Sequence, residues 1–432
     1  MRRSTRRHRS LLLVAALLLS GAFGASACSA QAPEQPAASS AVVFEGARLI
    51  VGDEQMPIEN ATFVVDNGRF VQVGRTGEVQ VPSGATRVDL KGKTVMPAII
   101  DTHTHLSRER DALVRDLKRR AYYGVGAAMS LGQDAGDLPF QIRDETIPDA
   151  ARVRTAGRGL TAPEPGRSDI PYWVTSPEEA RKAVQEQAAR KVDIVKLWVD
   201  DRDGKYKKLT PALYGAAIDE AHKNGLRVTA HIFTLEDGKG LLRAGLDAFA
   251  HGVRDRDIDD EFVTLVKARP DIVLVPNLPD RGIATDLTWL SDTLPAEQFK
   301  TLQAAAIDRP DAQKAFAIQA RNLARLSKEG VRIAVGSDGN TPWGPHLEMA
   351  DMVAAGMTPA QVLVAATRNG AELLGMNDVG TVEAGKSADF LLLDANPLDD
   401  ITNTRRIAGV YLRGAAVNRT SLRANWDGPA SE

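Results

Sequence analysis

Val95-Met-Pro-Ala-Ile-Ile-Asp101-Thr-His-Thr-His105 is the stretch on which the fold turns. Its apolar run has the length of a strand, and His103 and His105, two residues apart at its end, project from one face of an extended segment. Seven further short apolar runs follow, at 125–131, 152–156, 192–199, 227–232, 248–252, 272–277 and 332–337, which with 95–101 make eight. Helical stretches separate them. Such alternation predicts a parallel sheet of the α/β class, and eight units predict a (β/α)8 TIM barrel over residues 97–379. Ser176-Pro-Glu-Glu179 and Thr358-Pro-Ala-Gln361 each offer an N-cap, a proline at the first helical position and a capping-box partner, the second helix being expected to end at Gly375.

On either side of the barrel the texture is β. Residues 41–96 carry Val42-Val-Phe44, Thr62-Phe-Val-Val65 and Arg69-Phe-Val-Gln-Val73, with Asp66-Asn-Gly68 a tight-hairpin signal because Asn-Gly tolerates positive φ. After Gly380 come Ala388–Leu393 and Ile407–Leu412. We expect residues 380–425 to pair with 41–96 in one composite β-sandwich. Gly380-Thr-Val-Glu-Ala-Gly-Lys-Ser387 matches the spacing of a phosphate loop, but its lysine leads into Phe390-Leu-Leu-Leu393, a strand, where a phosphate loop must open a helix. Nucleotide binding is therefore not expected.

The amino terminus reads as an export signal over residues 1–27: a basic start to Arg9, an apolar run from Leu11 to Leu19, then small residues. Cleavage leaving Cys28 first would give a lipid-anchored bacterial envelope protein, and ordinary cleavage after Ala25-Ser-Ala27 a periplasmic or secreted one. The lipoprotein is favoured, because Cys28 is the chain's single cysteine. Residues 28–40 read as a flexible tether, and a lone cysteine excludes an internal disulfide. With 43% hydrophobic and 25% charged residues and a net charge of −2, the composition is globular and sets up no field for a polyanion. A small molecule, not nucleic acid, is the expected partner, and contact with a membrane is expected only through the lipid anchor.

Of the seven histidines, four fall at expected strand ends: His103, His105, His231 in Arg227-Val-Thr-Ala-His231, and His251 in Phe249-Ala-His251-Gly252. Asp338 ends the last run, Ile333-Ala-Val-Gly-Ser-Asp338. Lys196 interrupts the apolar Val192–Val199, where an unpaired ammonium is costly. Each taken alone has an ordinary structural reading. As a set at the C-terminal ends of barrel strands, they can chelate divalent cations.

This order, His-x-His, Lys, His, His, Asp over eight strands, resembles the amidohydrolase superfamily across about residues 42–420, and most of all the subgroup of imidazolonepropionase-like proteins and lysine-bridged Xaa-Pro dipeptidases. The resemblance implies two divalent ions, zinc first, with manganese, cobalt or iron as alternatives. His103, His105 and Asp338 would bind the more buried ion, His231 and His251 the other, and carboxylated Lys196 would bridge them. It also implies hydrolysis of an amide, a dipeptide or N-acyl amino acid being favoured, by a bridging hydroxide with Asp338 as general base and then acid. Cyclic amides, lactones and esters are the alternative substrates, and a non-catalytic envelope binding lipoprotein is the alternative from another class. The Gly380 segment resembles the superfamily's returning sandwich strand. Relatives often carry a second histidine two residues after the strand-five ligand, where Phe233 stands here. Phe233, Asn340 and His346 are the candidate substrate contacts, with helix capping an equal alternative for His346, and loops such as Gly132–Asp134, Thr161–Glu164 and Asp200–Gly204 would set specificity. His222, near a helix C-terminus, is expected to be structural, and His8 belongs to the signal.

Overall fold

The protein is described by a computed structural model over residues 40–424 and 426. The export segment, Cys28 and all but the last residue of the tether lie outside the described residues. Five strands come first: β1 (Val42–Leu49), β2 (Ile58–Asp66), β3 (Arg69–Arg75), β4 (Thr86–Asp89) and β5 (Thr94–Pro97). Asn67 and Gly68 adopt φ of 48° and 75°, and Asp66 pairs with Arg69, so the Asn-Gly signal forms the two-residue hairpin it predicts.

The barrel strands are β6 (Ile99–Thr104), β7 (Val125–Ser130) and β8 (Arg152–Thr155), with two short strands β9 (Leu160–Thr161) and β10 (Tyr172–Trp173) beyond them, then β11 (Val195–Val199), β12 (Val228–Ile232), β13 (Ala248–Phe249), β14 (Val273–Leu274) and β15 (Arg332–Ile333). Their pairings are parallel, in two runs: β6-β7-β8 and β10-β9-β11-β12-β13-β14-β15. Backbone hydrogen bonds join the runs at both seams. Asp193 N donates to Thr155 O at 3.0 Å between β8 and β11, and Thr102 N donates to Val335 O at 2.9 Å between β6 and the segment after β15. A parallel bridge between Thr104 and Gly339 reinforces the second seam. The eight strands β6–β8 and β11–β15 thus close into the parallel barrel that the alternation predicted.

Two boundaries differ from the sequence reading. The run 95–101 is two strands: β5 pairs with the flanking sheet, and after Ala98 the chain crosses into the barrel as β6, so His103 lies inside a strand. The helix expected from Thr358 to Gly375 is two, Pro359–Ala366 and Arg368–Leu373, because Thr367 leaves helical dihedrals at φ −129°, ψ −89°. The capping box at Thr358 forms.

The carboxyl end returns as β16 (Phe390–Leu393), β17 (Ile407–Leu412) and β18 (Ala415–Ala416). These join the amino-terminal strands in one sheet of order β18-β17-β16-β5-β1-β2-β3, with β4 beside β1. Phe70 on β3 and Phe390 on β16 are four strand steps apart, ~19 Å across a flat sheet at the usual spacing. Their rings lie 5.7 Å apart. The sheet therefore curls until its two ends face each other as sandwich layers, over a core of Phe44, Phe63, Phe70 and Phe390. Phe70 N bonding to Lys386 O at 2.9 Å and Ala388 N to Gly68 O at 2.8 Å stitch the layers together.

Candidate metal centre

Strand alternation aims the side chains. On β11, Val195, Leu197 and Val199 pack into the outer apolar core, so Lys196 and Trp198 face the barrel interior. On β12, Val228, Ala230 and Ile232 face outward, and His231 turns in. His103 is the last residue but one of β6 and His105 follows the strand directly; His251 follows β13 by two residues.

Asp338 sits in the loop after β15 with φ +46°. That conformation is unusual for a non-glycine residue, and a buried network holds it. Ser337 donates from its amide (3.0 Å) and hydroxyl (2.7 Å) to Asp101, while fully buried Arg120 donates to Asn340 Oδ1 (2.9 Å) and Gly339 O (3.2 Å).

The six expected residues converge. Asp338 Oδ1 lies 3.2 Å from both His103 Nε2 and His105 Nε2, and Oδ2 lies 3.4 Å from His251 Nε2. The rings of His103 and His251 are 5.1 Å apart and those of His231 and His251 4.5 Å. Lys196 is completely buried, and its Nζ has no hydrogen-bond partner among the described residues. It stands within electrostatic reach of His103, His231 and Asp338.

Trp198 lies 5.5 Å from the Lys196 ammonium and walls its chamber. Glycine is required opposite it. A Cβ on Gly159 would stand 2.2 Å from the indole, and one on Gly132, at φ +87°, 2.5 Å from the indole and 2.9 Å from the Lys196 stem.

The nitrogens left free point to cation binding. His103 Nδ1 lies 3.1 Å from Ala250 O and 2.7 Å from Asn277 Nδ2; with its proton given to the carbonyl, Nε2 is buried and, among the described residues, without a hydrogen-bond partner. His231 Nε2–H donates to Asp200 Oδ2 at 2.8 Å, which leaves Nδ1 with its lone pair. Anchoring one ring nitrogen so that the other faces a cation is how proteins orient imidazole ligands. Burial holds His103 and His251 well below the usual histidine range and His231 down to about 4, so all three are neutral, as a ligand must be. Burial alone would raise the Asp338 carboxyl, but His103, His105 and Lys196 together hold it well below the usual carboxylate range. Burial brings the Lys196 ammonium down to about 7. His103, His105 and Asp338 offer ligand atoms within 4.8 Å of one another, and this donor set of neutral imidazoles and a carboxylate fits a divalent cation.

Two expected substrate contacts are corrected. His346 is buried, with Nδ1 3.0 Å from Thr404 Oγ1 and Nε2 2.9 Å from Tyr123 O, so neither nitrogen is left for a substrate. It sits in the helix Gly344–Ala354, which turns its first residues into the core. Asn340 has its amide committed to Arg120 and to Asp116 (2.7 Å), where it braces the Asp338 loop. Phe233 does stand exposed after β12. His222 pairs with Asp247 at 2.9 Å, in the structural role expected. His346→Ala should accordingly cost ~2 kcal/mol of stability through its unpaired neighbours. Its kcat/KM should stay within about threefold of wild type, measured beside thermal unfolding; a larger loss of turnover with an unchanged melting point would return His346 to the site.

The sequence reading missed several neighbours. Asp200 holds His231; Arg202 bonds Asp200 (2.7 Å) and Glu164 (3.1 Å); Arg254 touches His251; Asn277 donates to Ala250 O. Asp200 and Glu164 lie in loops named for specificity, but charged residues in loops carry no periodic signal that singles them out.

The chain is similar to known proteins in sequence and in fold. The amidohydrolase family profile matches residues 94–417. Ochratoxinase from Aspergillus niger is 26% identical over 420 residues, covering 83% of this chain and 82% of its own. Imidazolonepropionase from Geobacillus thermodenitrificans is 25% identical over 385 residues, covering 78% and 84%. Among solved structures, a Bifidobacterium longum protein assigned as a prolidase superposes with a TM-score of 0.73 at 27% identity, covering 89% of this chain and 98% of its own.

Proposed function

The chain belongs to the amidohydrolase family, and from that premise we propose that it hydrolyses the amide bond of a dipeptide or N-acyl amino acid at the mouth of its barrel. The observation that carries the reading is the meeting of four imidazoles, Asp338 and a buried, unpartnered Lys196 in one chamber. Similarity to an ochratoxinase, an imidazolonepropionase and an assigned prolidase supports amide substrates.

His103, His105 and Asp338 would hold one divalent ion, His231 and His251 a second, and Lys196 would lie between them. Divalent ions in such a site acidify water and polarise a carbonyl. The chain's own residues supply the rest. A buried ammonium without a partner is unfavourable, and a lysine brought down to about 7 is substantially neutral amine at neutral pH. That amine can attack carbon dioxide, forming an N–C bond and releasing a proton. The buried side chain then carries a negative charge that suits neighbouring cations. Asp200 fixes the ring of His231, and Ala250 O fixes that of His103. Asp338, kept ionised and placed among the imidazoles, accepts the proton of the attacking water and passes it to the nitrogen of the breaking C–N bond. One water is consumed, yielding a carboxylate and an amine.

The test is a hydrolysis screen of dipeptides, N-acyl amino acids, cyclic amides, lactones and esters, run alongside elemental analysis of protein purified without chelator. About two equivalents of divalent metal, zinc foremost, and release of an amine are expected. Near-zero metal after metal-replete expression would remove the mechanism, and turnover confined to lactones or esters would replace the substrate class.

A further inference from the structure

Three cations act on the imidazole cluster, and two of them are accounted for. Lys196 stands inside it, and Arg202 is bound by Glu164 and Asp200. Arg254 is different. It follows His251 by three residues, its side chain is partly buried, and among the described residues it forms no ion pair; Asp338 and Asp200 act on it only at longer range. Its terminal nitrogen reaches His251 Nδ1, and its Nε is buried without an acceptor. A partly buried guanidinium with one donor spent on an imidazole and a buried Nε–H spent on nothing is incomplete until an anion arrives.

The contact with His251 is also provisional. An imidazole that ligates a cation through Nε2 keeps its proton on Nδ1, and a guanidinium cannot donate to a nitrogen that already carries hydrogen. With cations bound, Arg254 needs another acceptor. Its backbone ties it to the segment that follows β12: Arg254 N donates to Phe233 O at 2.9 Å, and Phe233 is 37% exposed. A fork-shaped cation and an exposed aromatic face, one residue pair apart in space, match the carboxylate and the apolar side chain of an amino acid.

We infer that Arg254 is a specificity-determining residue that binds the carboxylate of the substrate's amino-acid half, with Phe233 beside its side chain. The inference rests on the amide-hydrolase reading above, and it assigns to Arg254 the recognition of the free carboxylate that a dipeptide or N-acyl amino acid carries on its leaving amine. Esterified or amidated counterparts would leave Arg254 without that anionic partner.

Binding of ligands that lack the scissile N-acyl bond, and so cannot turn over, tests it. Metal-loaded wild type is titrated calorimetrically with 3-phenylpropanoate and with its carboxamide, 3-phenylpropanamide. The acid should bind at least about tenfold more tightly, as a bidentate charge-assisted pair would give. In Arg254→Leu that preference should shrink to less than about threefold, with Arg254→Lys intermediate because it keeps the charge and loses the fork. Arg254→Gln serves if the leucine variant does not fold. Equal binding of acid and amide by wild type would overturn the inference. So would a preference that survives in the leucine or glutamine variant, since the carboxylate would then be going to the cations. The hydrolysis screen reads turnover and this titration reads preference, so the two readings fail separately.

Discussion

Asp338→Asn should lower kcat/KM by about 10³–10⁴ while the protein keeps its fold. The carboxylate lies 3.2 Å from His103 and His105 and 3.4 Å from His251, in a loop pinned by Ser337, Asp101 and Arg120. None of those pins is made by the Asp338 side chain, so asparagine can occupy the same position. What it cannot do is accept a proton from water and return it to the leaving nitrogen. Steady-state kinetics on the best substrate of the screen, with metal content and thermal unfolding measured on the same preparation, separate the outcomes. Loss of turnover with at least one equivalent of metal retained supports the assigned role. Activity within tenfold of wild type would remove Asp338 from the chemistry, and loss of all metal would make it a ligand first and a proton carrier only in consequence.

Lys196→Met should move stability and function in opposite directions. Lys196 is completely buried, without a hydrogen-bond partner among the described residues, and burial brings its ammonium down to about 7 from an ordinary 10.5. Methionine is close in volume and carries no charge. In chelator-treated protein the variant should be more stable by roughly 1–4 kcal/mol at pH 7, the range found when buried charges give way to apolar groups. The pH dependence has a definite sign. Between about pH 7 and 10 the unfolded chain holds a proton on this lysine that the folded chain does not, so wild-type stability should rise through that window on this account. The variant lacks that rise, so its advantage should be largest at pH 7 and below and should fade toward pH 10. Metal loading should fall and kcat/KM should drop by at least about 10³, because no anion stands between the two ligand sets. Denaturant melts at three pH values, with and without metal, check both halves. A variant less stable than wild type as the apo-protein, or one that binds two metals and turns over normally, would refute this role for Lys196.

The six clustered residues could be picked out because each lies in or just after an apolar run of strand length. A histidine at such a place has few structural reasons to be there, and a lysine inside one has fewer. His346 and Asn340 were read toward substrate for a weaker reason, nearness in sequence to Asp338. The chain turns sharply after that residue: Pro345 opens a helix whose first turn packs into the core, and Asn340 is drawn to Arg120. Arg254 went unmarked, and Asp200 was named only as part of a specificity loop, for the opposite cause. Each lies in an irregular segment, and only the partner across space, His231 or His251, gives it meaning.

Alternation of short apolar runs with capped helices, Asn-Gly at a hairpin and metal-binding residue types at strand ends are local properties, each set within a few residues by backbone geometry and burial; from these the barrel, the returning β segment and the six-residue cluster could be inferred directly. Three matters were decided only by tertiary packing: the split of 95–101 between two sheets, the curl that brings Phe70 onto Phe390, and the nitrogen that each imidazole leaves free. These depend on contacts between segments up to some three hundred residues apart. Such contacts are chosen by closure of the barrel and by satisfaction of every buried polar group together, and no window of sequence contains both partners.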